Sequence, residues 1–177
     1  MKQEQYDPNS PSLTTLKNPS LRTESLAALG AFGVLTTGAA VLGARASSSS
    51  QLWYRRLRKP SFQPPSWVFG PVWTALYGLM SFSAWRVWNG PAGRKRSWAL
   101  MLWGVQLGFN ALWSPLFFGK HRQRAALADI AALGVSLAAY TATAREVDRG
   151  AAWMMAPYLA WVGFASALNE EIVRLNP

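Results

Sequence analysis

The chain alternates long apolar stretches with short basic ones. After a polar, aperiodic opening at 1–25, rich in Ser, Pro and Asn, apolar runs cover 26–44, 66–88, 98–118, 125–144 and 151–173. A helix of about 20 residues, rising about 1.5 Å per residue, crosses the hydrocarbon core of a bilayer. The pattern therefore predicts an all-α membrane protein, a bundle of five transmembrane helices over 26–177. The opening 1–25 is too polar to bury a core and is expected to be a disordered tail. Connections are short except at 45–65. The first run also has the outline of a secretory signal peptide, with Lys17 and Arg22 before it and Ala44-Arg45-Ala46 near its end. At about 19 residues it is longer than the roughly 7–15 of such a core, and it reads as a span.

Composition sharpens this picture. Half of the 177 residues are hydrophobic and only 15% are charged, where soluble domains carry roughly a quarter. The absence of Cys removes disulfides, thiolate nucleophiles and Cys-ligated metals, and the lone His121 cannot build a His-based site, so no metal or resident cofactor is expected. A net charge of +10 invites a nucleic-acid reading. The cations, however, sit in clusters at 55–59, 94–96 and 120–124 between apolar runs, which is how membrane-flanking loops meet anionic headgroups. The expected partner is the lipid bilayer and not nucleic acid. Lys and Arg divide almost evenly between the two sides, so an integral, multi-pass protein is predicted with neither its orientation nor its host membrane. No carboxylate pair, Ser/His/Asp set or phosphate loop is visible, and acid–base enzyme chemistry has no residues to carry it.

The ten Trp are the feature that composition leaves open. Trp67, Trp88, Trp98 and Trp153 fall at helix ends, where indoles settle at headgroup level. Trp73, Trp85, Trp103 and Trp161 lie deeper. On a helical projection Phe69, Trp73, Tyr77, Met80 and Ala84 share one face of the second helix. Pro157, Trp161, Ala165 and Leu168 share one face of the fifth. Rings between membrane helices gain little from leaving lipid, so deep indoles fill or line something. Pro71, Pro115 and Pro157 are expected to interrupt helices two, three and five, which is tolerated beside protein or a cavity. The third helix has two sides. Gly104, Gly108 and Ala111 form a small-residue stripe with GxxxG spacing, while Gln106, Asn110 and Trp113 point the opposite way. The stripe serves either packing within the bundle or a homodimer. A cavity lined by Trp73, Tyr77, Trp161 and Ala165, with Gln106 and Asn110 as polar points, would suit a large flat apolar ligand. On the fourth helix Asp129, Ser136, Tyr140 and Thr143 share a face, and a carboxylate at that depth should point inward. It serves either as a structural hydrogen-bond partner or as a proton or ligand group.

Four stretches carry a resemblance: WYRRLRKPSFQPPSWVFGPVWTALY at 53–77, GFNALWSPLFFG at 108–119, the Asp of ALADIAAL at 126–133, and APYLAWVGFASALN at 156–169. In this order they closely resemble the translocator protein family (TspO/MBR, the peripheral-type benzodiazepine receptors). The resemblance implies a five-helix membrane bundle, often dimeric, that binds porphyrins and haem-like tetrapyrroles, sterols and drug-like ligands. It also implies that Trp53 and Tyr54 cover the cavity, that Trp73, Asn110 and Trp161 line it and that Ala165 is the small residue beside it. Light-dependent porphyrin breakdown near Trp73 and Trp161, and transport of a sterol or tetrapyrrole, are the alternative activities that it implies. The sterol pattern expected on the fifth helix needs a Tyr between Leu168 and Arg174, which this chain lacks. Tetrapyrroles are therefore the expected ligands.

Overall fold

The computed structural model describes residues 19–177, with side chains from 22 onward. Five long helices make the bundle: α1 (Pro19–Ser49), α3 (Phe69–Trp88), α4 (Arg94–Ser114), α5 (Gln123–Arg145) and α7 (Ala156–Leu175). Two short ones, α2 (Gln51–Arg56) and α6 (Arg149–Trp153), sit at opposite ends. Arg22–Ser49, Gln123–Arg145 and Arg149–Leu175 are long and apolar enough to cross a membrane by hydropathy alone. α3 and α4 have the length, but their inner faces carry Ser81, Ser83, Gln106 and Asn110, all buried. Those residues lower the hydropathy of the two helices without facing lipid. The protein is an all-α membrane protein built on five helices.

Three boundaries differ from the sequence expectation. α1 starts at Pro19 and takes in 19–25 of the segment expected to be disordered, and the rest of that segment lies outside the described residues. α1 also runs on through the serines to Ser49, and α2 forms inside what was expected to be loop. Pro71 sits at the start of a helix where interruption was expected, while Pro115 and Pro157 do mark interruptions of the third and fifth runs. Pro71 is in the first turn of α3, Pro157 is the second residue of α7 after a break at Met154–Met155, and Pro115 opens a π turn, Pro115–Gly119, after α4. At Pro71 and Pro157 the first turn of a helix has no use for an N–H, so proline costs little and its fixed φ suits the start. At Pro115 the chain stays helical from α4 and widens into the π turn where the N–H is missing.

α1 is a working member of the bundle. Thr36 shares a hydrogen bond with Ser81 of α3 at 2.7 Å, Phe32 meets the edge of Trp103, and Gly43 lies close enough to Ser114 that a Cβ would sit 3.3 Å from its Oγ. Its other face, with Leu26, Val34, Leu35, Val41 and Leu42, is exposed, as a lipid-facing helix requires. The four Trp expected at headgroup level, Trp67, Trp88, Trp98 and Trp153, are all exposed.

The core proper lies towards the α6 end. Met80, Ala84, Val87, Ala99, Tyr140, Ala144 and Ala151 are fully buried there. Ser83 pairs with Tyr140 at 2.6 Å and donates to the Ala151 carbonyl at 2.9 Å. Trp103 donates its indole N–H to the Met80 carbonyl at 3.1 Å. Such fully satisfied buried polar groups fix helix register where lipid gives little drive for packing.

Candidate functional site

At the other end the helices part. α3 packs against α6 but barely against α7, and the gap between α3 and α7 is bridged by rings. Trp73 and Trp161 stand at 88° with centroids 6.4 Å apart, and Phe69 meets Trp161 edge-on at 5.7 Å. Between these rings and α1, α4 and α5 lies a cavity of about 870 Å³, in the size range of sites for drug-sized ligands.

Of the residues singled out from sequence, Tyr54, Trp73, Tyr77, Asn110, Trp113, Trp161, Ala165 and Leu168 all line this cavity. Trp113 is fixed by an N–H bond to Asn169 at 3.1 Å and by stacking on Phe117 at 5.0 Å. Tyr77 donates to Asn110 Oδ1 at 2.9 Å, and Asn110 Nδ2 donates to Tyr158 at 2.7 Å. Two residues fall elsewhere. Gln106 is fully buried away from the cavity, with its Nε2 3.9 Å from the Met80 sulfur and its Oε1 unpartnered. Trp53 is not part of the lining: it is half-buried, meets Phe117 edge-on and stacks flat on His121, with centroids 4.0 Å apart. The deep indoles thus divide. Trp73 and Trp161 face the void, Trp103 is core, and Trp85 pins the start of α1 by donating to Ser25 O and Oγ, both at 3.0 Å.

The cover is the α2 loop. The Trp53–His121 stack ties it to the turn after α4, and Asn176 brackets the Arg58 backbone with two bonds of 3.0 and 2.9 Å. Tyr54 donates to Gln63 at 3.2 Å, and burial pushes its phenol pKa above the usual value. Of the loop cations, Arg55 and Lys59 line the cavity. Arg56 and Arg58 are exposed outside it. Sequence reasoning missed the α1 wall of Ala40, Gly43, Ala44 and Ser47. Its signal was there in small residues at helical spacing, without an aromatic to draw notice.

Gly104 and Gly108 are exposed on α4, and nothing within 4 Å would meet a Cβ at either. Gly104 and Gly108 therefore make no close helix contact within the chain and face outward, while Ala111 of the same stripe is half-buried against the core.

A multi-pass helical bundle that holds a Trp-lined cavity under a basic loop is the class these features define. The model of the TspO/MBR family matches residues 30–175, and the chain belongs to that family. It is 41% identical over 149 residues to protein CrtK of Rhodobacter capsulatus, covering 82% of this chain and 92% of that one. The tryptophan-rich sensory protein of Cereibacter sphaeroides is 38% identical over the same shares. The translocator protein of Homo sapiens is 40% identical over 126 residues, 70% of this chain and 75% of its own. With its spans, this places the chain among integral membrane proteins of the translocator and sensor type.

Proposed function

We propose that the protein binds a planar, largely apolar tetrapyrrole, a porphyrin or haem-like compound, inside the membrane and acts as its sensor, carrier or scavenger. The observation that carries this reading is the pair Trp73 and Trp161, set at right angles on the edge of a void of about 870 Å³. One indole face can stack on a flat π-system while the perpendicular one meets its edge, and most of the lining surface is apolar. Arg55 and Lys59 at the mouth suit acidic side arms, since charge-assisted pairs are the stronger hydrogen bonds. The tetrapyrrole is cargo or signal here, and the site calls for no resident cofactor.

The test is a titration of protoporphyrin into purified protein, in darkness and in light. Quenching of Trp fluorescence in the dark, weakened at least tenfold in Trp161→Ala, is expected. Absence of quenching in the wild type overturns the reading. Loss of porphyrin absorbance only in light, abolished by Trp73→Phe, would turn the binder into a light-dependent degrading protein, and uptake into sealed vesicles would make it a transporter. A homodimer through Gly104, Gly108 and Ala111 completes the proposal, because an outward small-residue stripe lets a second backbone approach closely.

A further inference from the structure

α1 and α3 touch at one level and stand apart towards the α2 end. Thr36 and Ser81 share a hydrogen bond at 2.7 Å. On a helical projection Gly70 and Thr74 lie within about 20° of Ser81, and Ala40, Gly43 and Ser47 within about 40° of Thr36. The faces that meet at Thr36–Ser81 would therefore meet again two and three turns further on. They do not. Gly43 lies against Ser114 of α4 instead, a Cβ on Gly70 would find nothing within 4 Å, and all five residues line the cavity. In this half α1 leans on α4 and on the π turn Pro115–Gly119, away from α3.

The result is a slit between α1 and α3 that runs from Ser81 to Gly70, about 17 Å along the helix. Its outer edges face the hydrocarbon. Ala44 on the α1 side, and Gly70 and Thr74 on the α3 side, line the void and are exposed as well. Trp67 is exposed at headgroup level, and Thr74 lies about 10 Å deeper along the chain's descent into the bilayer. The walls hold no unpaired hydroxyl. Ser47 donates to the Gly43 carbonyl and Thr74 to the Gly70 carbonyl, both at 2.9 Å, and the remaining edge residues are Gly and Ala. A flat apolar compound can pass such walls without breaking a hydrogen bond.

The cover offers a harder way in. Trp53 is stacked on His121, the Tyr54 ring meets Phe118 edge-on at 5.3 Å, and two bonds from Asn176 hold the Arg58 backbone. Lifting the cover gives up all of these at once, whereas the slit already stands open. We propose that the ligand enters and leaves sideways, through the slit between α1 and α3 and directly from the bilayer, while the α2 cover stays in place. The inference rests on the ligand reading above and adds the phase that supplies it: a compound dissolved among acyl chains, not one free in water.

The chain has no Cys, so paired cysteines can staple one place at a time. Ala44→Cys with Thr74→Cys spans the slit, and Trp53→Cys with His121→Cys spans the cover. Each pair is bridged by a short bifunctional thiol reagent that reductant cleaves, with closure confirmed by mass. Protoporphyrin association with protein in lipid nanodiscs is followed by Trp quenching, and its release by adding empty vesicles. The slit staple should slow association and release alike by about tenfold or more, leave Kd within about twofold, and lose its effect on reduction. The cover staple should change neither rate. Gly70→Phe sets a ring in the slit, where a Cβ meets nothing, and should slow both rates without any reagent, so the outcome does not depend on the staple closing. An association rate that either slit change leaves as it was, or that the cover staple slows, would overturn the inference while leaving the cavity a porphyrin site. So would a slit staple that weakens equilibrium binding at an unchanged association rate, since the slit would then be wall and not entrance. If protoporphyrin fails to quench the wild type, the ligand reading falls and this inference falls with it.

Discussion

The two ends of the bundle use the same helices to opposite effect. At the α6 end the contact positions of α3, α4, α5 and α6 are Ala84, Ala99, Ala144 and Ala151, all fully buried. The packing is so close that a Cβ on Gly90 would lie 2.5 Å from the Val147 Cγ1 methyl. At the α2 end the corresponding stretches carry Phe69, Trp73, Trp113, Phe117 and Trp161, and a void opens between them. Side-chain size along each helix decides where membrane helices meet and where they stand apart, because without a hydrophobic drive the packing of atoms sets the approach. The closed end holds the bundle together, and rings too large to interdigitate prop the other end open.

Enlarging an alanine in each half should therefore do opposite things. Ala165→Phe puts a ring into the cavity, where there is room for it, so protoporphyrin affinity should fall by about a hundredfold or more while the thermal midpoint in detergent holds or rises. A variant that unfolds instead would show the cavity already filled. Ala151→Leu places a smaller addition where there is none to spare and should cost roughly 1–3 kcal/mol. Thermal unfolding measures that cost, and unchanged stability would mean that the α6 end is not the tight one. Gly108→Leu touches neither half. It should leave unfolding and quenching as they are and shift the mass in detergent from dimer to monomer. An unchanged oligomer would remove the stripe from the dimer.

The open half was the more legible in sequence. Phe69, Trp73 and Tyr77 on α3, and Trp161, Ala165 and Leu168 on α7, recur at helical period, and all six line the cavity. What a helical projection lacks is depth and company. Gln106 and Asn110 lie on the same side of α4, one turn apart, yet Met80 covers the first while the second reaches the void. Trp103 and Trp73 are about equally deep in their runs, yet Trp103 is buried with its indole N–H on the Met80 carbonyl while Trp73 lines the void, a difference that no helical projection carries. The stack of Trp53 on His121 joins residues far apart in the chain, through a turn whose αL residue is His121 itself, with φ 52. No local pattern encodes such a pairing.

The smallest expected effect concerns the closed half alone and separates the two halves by pH. Asp148 lies in the turn before α6, where it accepts from the Ala151 N–H at 2.8 Å and pairs with Arg86 of α3 at 2.9 Å. Partial burial pushes its carboxyl up, but the bonds from Arg86 and from the Ala151 N–H outweigh that and hold it below the ordinary 3.8. A carboxylate whose pKa is lowered by folding stabilises the fold above the unfolded value and loses that contribution as pH falls below 3.8 through the folded one. Asp148→Asn should then cost on the order of 1 kcal/mol at about pH 7, the scale of a lost helix cap and a partly exposed ion pair. The gap between variant and wild type should shrink when unfolding is repeated below pH 3.8, where the unfolded wild-type chain takes up a proton on this carboxyl. Protoporphyrin affinity at neutral pH should not move, because the charge sits at the far end from the void. A gap that persists in acid would assign Asp148 a role of shape rather than charge, and a change in porphyrin affinity would show that the two ends are coupled after all.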